Sequence, residues 1–200
     1  MALYQMKSFG RDIVHPLVKP LFTVHPNTIT WASLLFAAAA ALCLYSADLG
    51  WALLLAPVFI MLRMMCNLLD GMVAIERDMT SPQGEALQDA VDRLADSFTV
   101  LGAAFSPIGD LRLGIVAITL MLISSYVGIQ KKAVGGSREY GGILGKGDRY
   151  ILFGIASVGR YFWHGSVRGL NAFDILFVLM IIGGAVTIIQ RGTSIRGMKR

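Results

Sequence analysis

Apolar residues in this chain gather into six runs of 17 to 26 residues, separated by short polar connections. A hydrocarbon core about 30 Å thick needs roughly 20 helical residues, so runs of this length predict membrane-spanning helices. The predicted spans cover residues 28–47, 50–75, 84–106, 111–131, 149–165 and 172–190. Because short connections make neighbouring helices antiparallel, we expect an all-α integral membrane protein, a six-helix bundle forming a single domain over residues 1–200.

A weaker pattern precedes the first span. In residues 1–22 apolar positions alternate with Lys7, Arg11 and Lys19. This predicts an amphipathic helix lying at the bilayer surface, interrupted at Pro16 and Pro20. The segment lacks the continuous apolar run of a cleaved signal peptide, so we expect it to remain in the mature protein.

Composition and charge support a membrane protein. Hydrophobic residues make up 55% of the chain and charged residues 16%, which is not the composition of a soluble domain. The net charge of +5 is compatible with nucleic-acid binding, but the basic residues concentrate at the termini and in the second and fourth connections. The other connections hold only Arg112 and Arg168. The positive-inside rule therefore predicts cytoplasmic termini in a bacterial inner or plasma membrane, and no nucleic-acid partner.

Acidic residues concentrate in one window, where the second and third spans meet. Seven of the 13 carboxylates lie between Asn67 and Asp96. A carboxylate at membrane depth is costly unless it is paired, hydrated or bound to a cation, so these acids are candidates for function. Helical spacing predicts two polar stripes that face each other, formed by Arg63, Asn67 and Asp70 on the second span and by Gly84, Gln88, Asp92 and Asp96 on the third.

The stripes supply oxygen ligands of the kind that Mg²⁺ and Mn²⁺ prefer, and Mg²⁺ in such sites is commonly completed by substrate phosphates. Basic residues near the stripes are candidates for contacting phosphate oxygens: Arg63, Arg93, Lys146 and Arg149. Alternatives remain open. Arg93 has Asp89 and Asp96 within helical reach and can simply neutralise them, and the glycines at positions 71 and 84 are also suited to helix packing.

These residues resemble the signature of the CDP-alcohol phosphotransferases, D-x2-D-G-x2-A-R-x8-G-x3-D-x3-D. With every spacing retained, the aligned positions are Asn67, Asp70, Gly71, Ala74, Ile75, Gly84, Gln88 and Asp92. Pro26-Asn27 and Arg149 also stand where the family carries similar residues. Six spans with cytoplasmic termini are the architecture of that family, so the resemblance extends over nearly the whole chain.

The resemblance implies a phospholipid-synthesising transferase. Such an enzyme moves a phosphatidyl group from a CDP-linked lipid, most often CDP-diacylglycerol, to the hydroxyl of a small polar alcohol and releases CMP. It also implies Mg²⁺ or Mn²⁺ as cofactor, a homodimer, and Asp92 as the catalytic base. The implied metal ligands are Asn67, Asp70, Gln88 and Asp92, to which we add Asp96 because it continues the same stripe. The implied substrate-binding residues are Asn27, Gly71, Ala74, Gly84 and Arg149, to which we add the nearby basic residues Arg93 and Lys146.

The chain departs from the signature at three positions. Two of the four signature aspartates are amides, Asn67 and Gln88, and the signature arginine is Ile75. Each amide keeps an oxygen but removes a negative charge, which should weaken metal binding. Asp89 and Asp96 are candidates to supply the missing negative charge, and Arg93 is a candidate to replace the signature arginine. Two other functions therefore remain open: a weakened or inactive relative that only binds CDP-lipid, and a small ion transporter. A transporter would distribute its acids along the membrane path, whereas these collect at one end.

Overall fold

A computed structural model describes residues 15–136 and 141–197, and these residues form six α-helices. Their bounds are α1 Pro26–Tyr45, α2 Gly50–Glu76, α3 Pro82–Ala104, α4 Leu111–Ala133, α5 Lys146–Phe162 and α6 Ala172–Arg196. All six predicted helices are therefore present, and an all-helical architecture is confirmed for the described part of the chain.

Polar residues in the connections fix where the later helices begin. The Asp110 carboxylate accepts a hydrogen bond from the backbone N–H of Leu113 at 2.9 Å, which caps the first turn of α4. Asn171 caps α6 in the same way, and Asp174 returns a contact to the Asn171 backbone N–H at 3.0 Å. Such caps satisfy the backbone donors that a helix leaves unpaired at its first turn.

Four helices are long and apolar enough to cross a membrane: α1, α2, α4 and α6. The predicted spans 84–106 and 149–165 correspond to α3 and α5, which do not meet that description. Helix α3 has charged side chains in its first half, and α5 is only 17 residues long with both Lys146 and Arg149 in its first turn. The six-span prediction is thus confirmed for four helices.

The N-terminal prediction is tested only near its end, because residues 1–14 lie outside the described part of the chain. The predicted interruption at Pro16 and Pro20 is confirmed: this stretch forms two short 3₁₀ helices, His15–Leu17 and Lys19–Thr23, rather than a continuous α-helix. Pro16 and Pro20 lack the backbone N–H that a longer α-helix needs at these positions. Val18, between the two turns, is fully buried in a core with residues of α1 and α2.

The chain divides into two compact units. One contains residues up to Ala40 together with Val58–Phe98, and the other contains Ala41–Pro57 together with the residues from Thr99 onward. The first unit therefore includes the whole acidic window.

Small residues allow close helix packing in the second unit, where α4 and α5 both pack against α6. A Cβ atom on Gly183 would lie 2.9 Å from the Leu144 side chain, and one on Gly184 would lie 3.3 Å from that of Leu120. Both glycines are buried, so they serve contacts within the chain.

Candidate active site

Helices α2 and α3 meet along the two predicted polar stripes. Arg63 of α2 contacts Asp92 and Asp96 of α3, and one turn further along α2 the Asn67 side chain donates to Asp92 Oδ1 at 2.7 Å. At the end of the stripes the Gln88 amide donates to Asp70 Oδ1 at 2.7 Å. The order of these contacts is that of two antiparallel helices, which confirms the prediction that the stripes face each other.

Asp70 is held by three hydrogen-bond donors. Its Oδ1 accepts from the Gln88 amide and, at 2.6 Å, from the backbone N–H of Gly71; its Oδ2 accepts from the Thr30 hydroxyl at 2.7 Å. Because these contacts come from α1, α2 and α3, the carboxylate has a fixed orientation. Only 3% of the residue is exposed.

Asp92 and Asp96 have a different environment, because both form ion pairs with an arginine. Arg63 Nη2 lies 3.0 Å from Asp92 Oδ1 and 3.4 Å from Asp96 Oδ1, and only 1% of Arg63 is exposed. The expectation that Arg63 contacts substrate phosphates is therefore wrong: its side chain is buried between carboxylates. A buried arginine needs such partners because an unpaired charge there would be strongly destabilising.

A cavity of about 420 Å³ opens beside Asp70. Six of the predicted site residues line it, and these are Asn27, Asp70, Gly71, Ala74, Gly84 and Gln88. The other predicted residues of this unit, Asn67, Asp92, Arg93 and Asp96, are not among its lining residues. The stripes thus have an open end at Asp70 and Gln88 and a closed, ion-paired end at Arg63.

The two glycines of the motif face this space. A Cβ atom on Gly71 would have Gln88 Nε2 as its nearest neighbour, at 4.0 Å, and one on Gly84 would lie 3.1 Å from the Ser81 hydroxyl. Neither glycine is therefore required for close packing of one helix backbone against another. The geometry favours the interpretation that they leave room for a ligand.

Arg93 lies beside acids of its own helix. Its guanidinium is 3.8 Å from both Asp89 Oδ1 and Asp96 Oδ2. The structure thus corresponds to the alternative in which Arg93 neutralises its neighbours. Lys146 and Arg149 belong to the other unit, in the first turn of α5, and their predicted substrate contacts remain predictions.

The donor chemistry at Asp70 fits a hard divalent cation. Among residues 15–136 and 141–197, no group of three or more histidine, cysteine or acidic side chains is arranged to hold a metal ion. The cavity wall nevertheless offers the Asp70 carboxylate, the Gln88 amide and Glu85. Mg²⁺ is commonly bound through one or two carboxylates with water and phosphate oxygens completing the shell, so this wall suffices for one ion.

Sequence reasoning missed one residue of this site. Thr30 lines the cavity and its hydroxyl donates to Asp70, but it is not among the site residues predicted from the sequence. Its spacing of three from Asn27, which places both on one face of α1, was the signal that identifies it.

Comparison with known proteins gives a consistent picture. No protein-family model matches the chain. It is 31% identical over 157 residues to the inner membrane protein YnbA of Escherichia coli, covering 78% of each chain. It is 28% identical over 191 residues to the archaetidylinositol phosphate synthase of Methanothermobacter thermautotrophicus, covering 94% of this chain and 91% of the relative.

A solved structure shares the fold. The phosphatidylinositol phosphate synthase of Mycobacterium tuberculosis with CDP-DAG bound superposes with a TM-score of 0.75 at 20% identity, over 94% of this chain and 98% of that one. A second structure of that synthase is a complex with manganese and citrate. Four apolar helices and an inner membrane relative identify the present chain as an integral membrane protein.

Proposed function

The chain belongs to the CDP-alcohol phosphotransferase family, and on that premise we propose that it transfers a phosphatidyl group from a CDP-linked lipid, such as CDP-diacylglycerol, to a small polar alcohol. CMP is the leaving group, and the reaction serves phospholipid synthesis. The observation that carries this proposal is the cavity beside Asp70, where a fixed carboxylate and two open glycines adjoin the facing stripes.

The nucleotide and pyrophosphate of the lipid substrate occupy this cavity. Gly71, Ala74 and Gly84 leave space for the ligand against the helix backbones, and Asn27 and Gln88 offer polar side chains on its wall. Asp70, with Gln88 beside it, would hold a Mg²⁺ or Mn²⁺ ion. When bound, that ion supplies positive charge that offsets the negative charge developing on the departing CMP.

In the transfer, the acceptor oxygen forms a bond to the lipid-bearing phosphorus and the bond from that phosphorus to CMP breaks. The hydroxyl proton goes to a carboxylate acting as general base, a role that we assign to Asp92 by its position in the signature. The hydrogen bond from Asn67 and the ion pair with Arg63 fix the orientation of Asp92. Asp92 stands four residues, about one helical turn, after the cavity residue Gln88 along α3.

The acceptor is proposed to carry a phosphate group. In the second unit, Arg191 lines a cavity of about 380 Å³ with Gly141, Gln190 and Ser194, and Lys131 Nζ donates to the Ser194 hydroxyl at 2.8 Å. Lys146 and Arg149 add positive charge to the same unit. Because one relative is an archaetidylinositol phosphate synthase and the structural neighbour is a phosphatidylinositol phosphate synthase, an inositol phosphate is the first acceptor to test.

The finer architecture is part of the same proposal. Helices α3 and α5 cross the membrane with the other four, because the charged Asp92 and Asp96 of α3 and Arg149 of α5 are buried and so do not face lipid. We expect both termini and the active site to face the cytoplasm, because basic residues are in excess at the termini and in the second and fourth connections. A homodimer is expected from the family resemblance.

A direct assay tests this function. Purified protein is reconstituted with cytidine-labelled CDP-diacylglycerol and Mg²⁺ or Mn²⁺, and CMP is measured with glycerol 3-phosphate, serine or inositol phosphate as acceptor. We expect CMP formation that depends on one of these acceptors and is abolished in Asp92→Asn. Binding of the CDP-lipid without turnover under any acceptor would instead identify a non-catalytic relative.

A further inference from the structure

The closed end of the polar stripes contains a positive charge supplied by the protein itself. Arg63 is among the largest fully buried side chains of the described residues, and its Nη2 contacts both Asp92 and Asp96. The same nitrogen lies 3.5 Å from the backbone carbonyl of Asp92. An arginine inside an apolar helix is retained only with such partners. Arg63 is therefore a fixed component of the structure and not a mobile surface charge.

The two amides that replace signature aspartates, like Arg63, donate to carboxylates of the stripes. Asn67 donates its amide to Asp92, and Gln88 donates its amide to Asp70, each at 2.7 Å. Two carboxylates at such a separation would repel and would need a cation or a proton between them. An amide and a carboxylate need neither. Each replaced position is thus hydrogen-bonded to one of the two aspartates that the chain keeps.

The remaining charges divide the site into two halves. Asp92 and Asp96 pair with Arg63, and Asp96 also lies 3.8 Å from Arg93. Asp70, by contrast, accepts hydrogen bonds from three neutral donors, a backbone N–H, an amide and a hydroxyl. Asp70 also adjoins the cavity, whereas Asp92 and Asp96 are not among the cavity residues. Of the acids in the two stripes, Asp70 is therefore the one that lines the cavity, whose wall also includes Glu85.

We propose that Arg63 is a permanent counter-cation for Asp92 and Asp96, so that this chain binds a single divalent ion, at Asp70. Arg63 supplies the positive charge that a second ion would provide, and the neutral amides of Asn67 and Gln88 remove two of the four carboxylates that would require such an ion. This inference rests on the metal-dependent transfer proposed above. Arg63 is a positioning residue, because it acts on Asp92 and Asp96 rather than on the substrate.

The stoichiometry of Mn²⁺ binding tests the proposal without relying on activity. Purified protein in lipid nanodiscs with CDP-diacylglycerol is titrated with Mn²⁺, and free Mn²⁺ is followed by electron paramagnetic resonance. We expect one ion per chain. The double variant Asn67→Asp/Gln88→Asp restores the two missing carboxylates and is expected to bind two.

Arg63→Met provides a second variant. Loss of the guanidinium leaves Asp92 and Asp96 without this counter-charge, so a Mn²⁺ ion should take its place and the stoichiometry should rise to two. Added Mn²⁺ should also raise the melting temperature of this variant by more than it raises that of the wild type. Arg77→Met is the matched control. It removes a guanidinium from the same unit, where Arg77 contacts the Val24 carbonyl at 3.0 Å, and should bind one ion. If Arg63→Met does not fold, the number of Mn²⁺ ions bound by the Asn67→Asp/Gln88→Asp variant still tests the proposal.

The outcomes separate this inference from the proposed function. Two ions bound to wild-type protein, or one ion bound to the amide double variant, would overturn the inference while CMP formation continued to support the function. One ion bound without CMP formation would support the inference and contradict the function. Transfer with no Mn²⁺ or Mg²⁺ bound would overturn both the single-ion site and the metal dependence.

Discussion

Asp70→Asn is the substitution that separates the chemical role of the site most cleanly from its structural role. The change keeps the shape of the side chain and removes its charge. Asparagine Oδ1 can still accept from the backbone N–H of Gly71 and from Gln88, and Nδ2 then faces Thr30, whose hydroxyl can turn to accept. Since only the charge assistance of these bonds is lost, we expect a loss in unfolding free energy of about 1 kcal/mol.

The effect on transfer should be much larger. A unit charge about 4 Å from an opposite unit charge, at an effective dielectric constant of about 20, interacts by about 4 kcal/mol. Removal of one preorganised electrostatic group from an active site commonly lowers the rate about 100- to 1000-fold. We therefore expect CMP formation by Asp70→Asn to fall by about that factor, with a higher Mg²⁺ concentration needed for half-maximal rate.

The assay compares initial rates of CMP formation in vesicles over a range of Mg²⁺ concentrations, alongside melting temperatures in detergent. Asp78→Asn is the matched control. Asp78 is exposed and has a φ of 52°, a conformation that asparagine also tolerates, so this variant should retain the wild-type rate and stability. A rate for Asp70→Asn within about threefold of wild type and an unchanged Mg²⁺ dependence would refute the role given to Asp70.

Three further substitutions test other parts of the account. Gly71→Ala adds a methyl group that faces the cavity, so we expect an unchanged melting temperature but a raised KM for CDP-lipid; an unaltered KM would argue that the ligand lies elsewhere. Gly102→Ala should lower the unfolding free energy by about 1 to 3 kcal/mol in a denaturation experiment, since its Cβ would collide with the backbone of Ala41; wild-type stability would show that the contact relaxes freely. Asp96→Asn removes an ion-pair partner of Arg63 that does not line the cavity, so the melting temperature should fall while the Mg²⁺ affinity changes little. A large loss of Mg²⁺ affinity at an unchanged melting temperature would make Asp96 a metal ligand.

Much of this fold was predictable because apolar runs report helices directly. All six helices were predicted, with ends that differ from the observed ones by a few residues. What composition could not decide is which helices face lipid. Helix α3 is acidic because its polar side chains contact α2, as between Asn67 and Asp92, and α5 is too short to qualify by length.

The sequence was enough to predict which two helix faces form the site. It was not enough to predict the contacts that each side chain makes. Helical spacing correctly predicted that the two stripes face each other, and the structure shows the individual contacts, from Gln88 to Asp70 and from Asn67 to Asp92. Spacing alone gives the face of a helix and not the direction of a side chain, so it did not show that Arg63 lies between acids. The contribution of Thr30 depends on how α1 packs against α2, which is a contact between distant parts of the chain.

The central claim is that facing polar stripes hold a divalent ion where a CDP-linked lipid binds. Anomalous diffraction from crystals grown with Mn²⁺ and CDP-diacylglycerol tests it most directly. We predict a manganese peak in the cavity, bonded to Asp70, with the pyrophosphate of the lipid against Gly71 and Gly84. A peak that does not involve Asp70, or a nucleotide bound outside this cavity, would contradict the account.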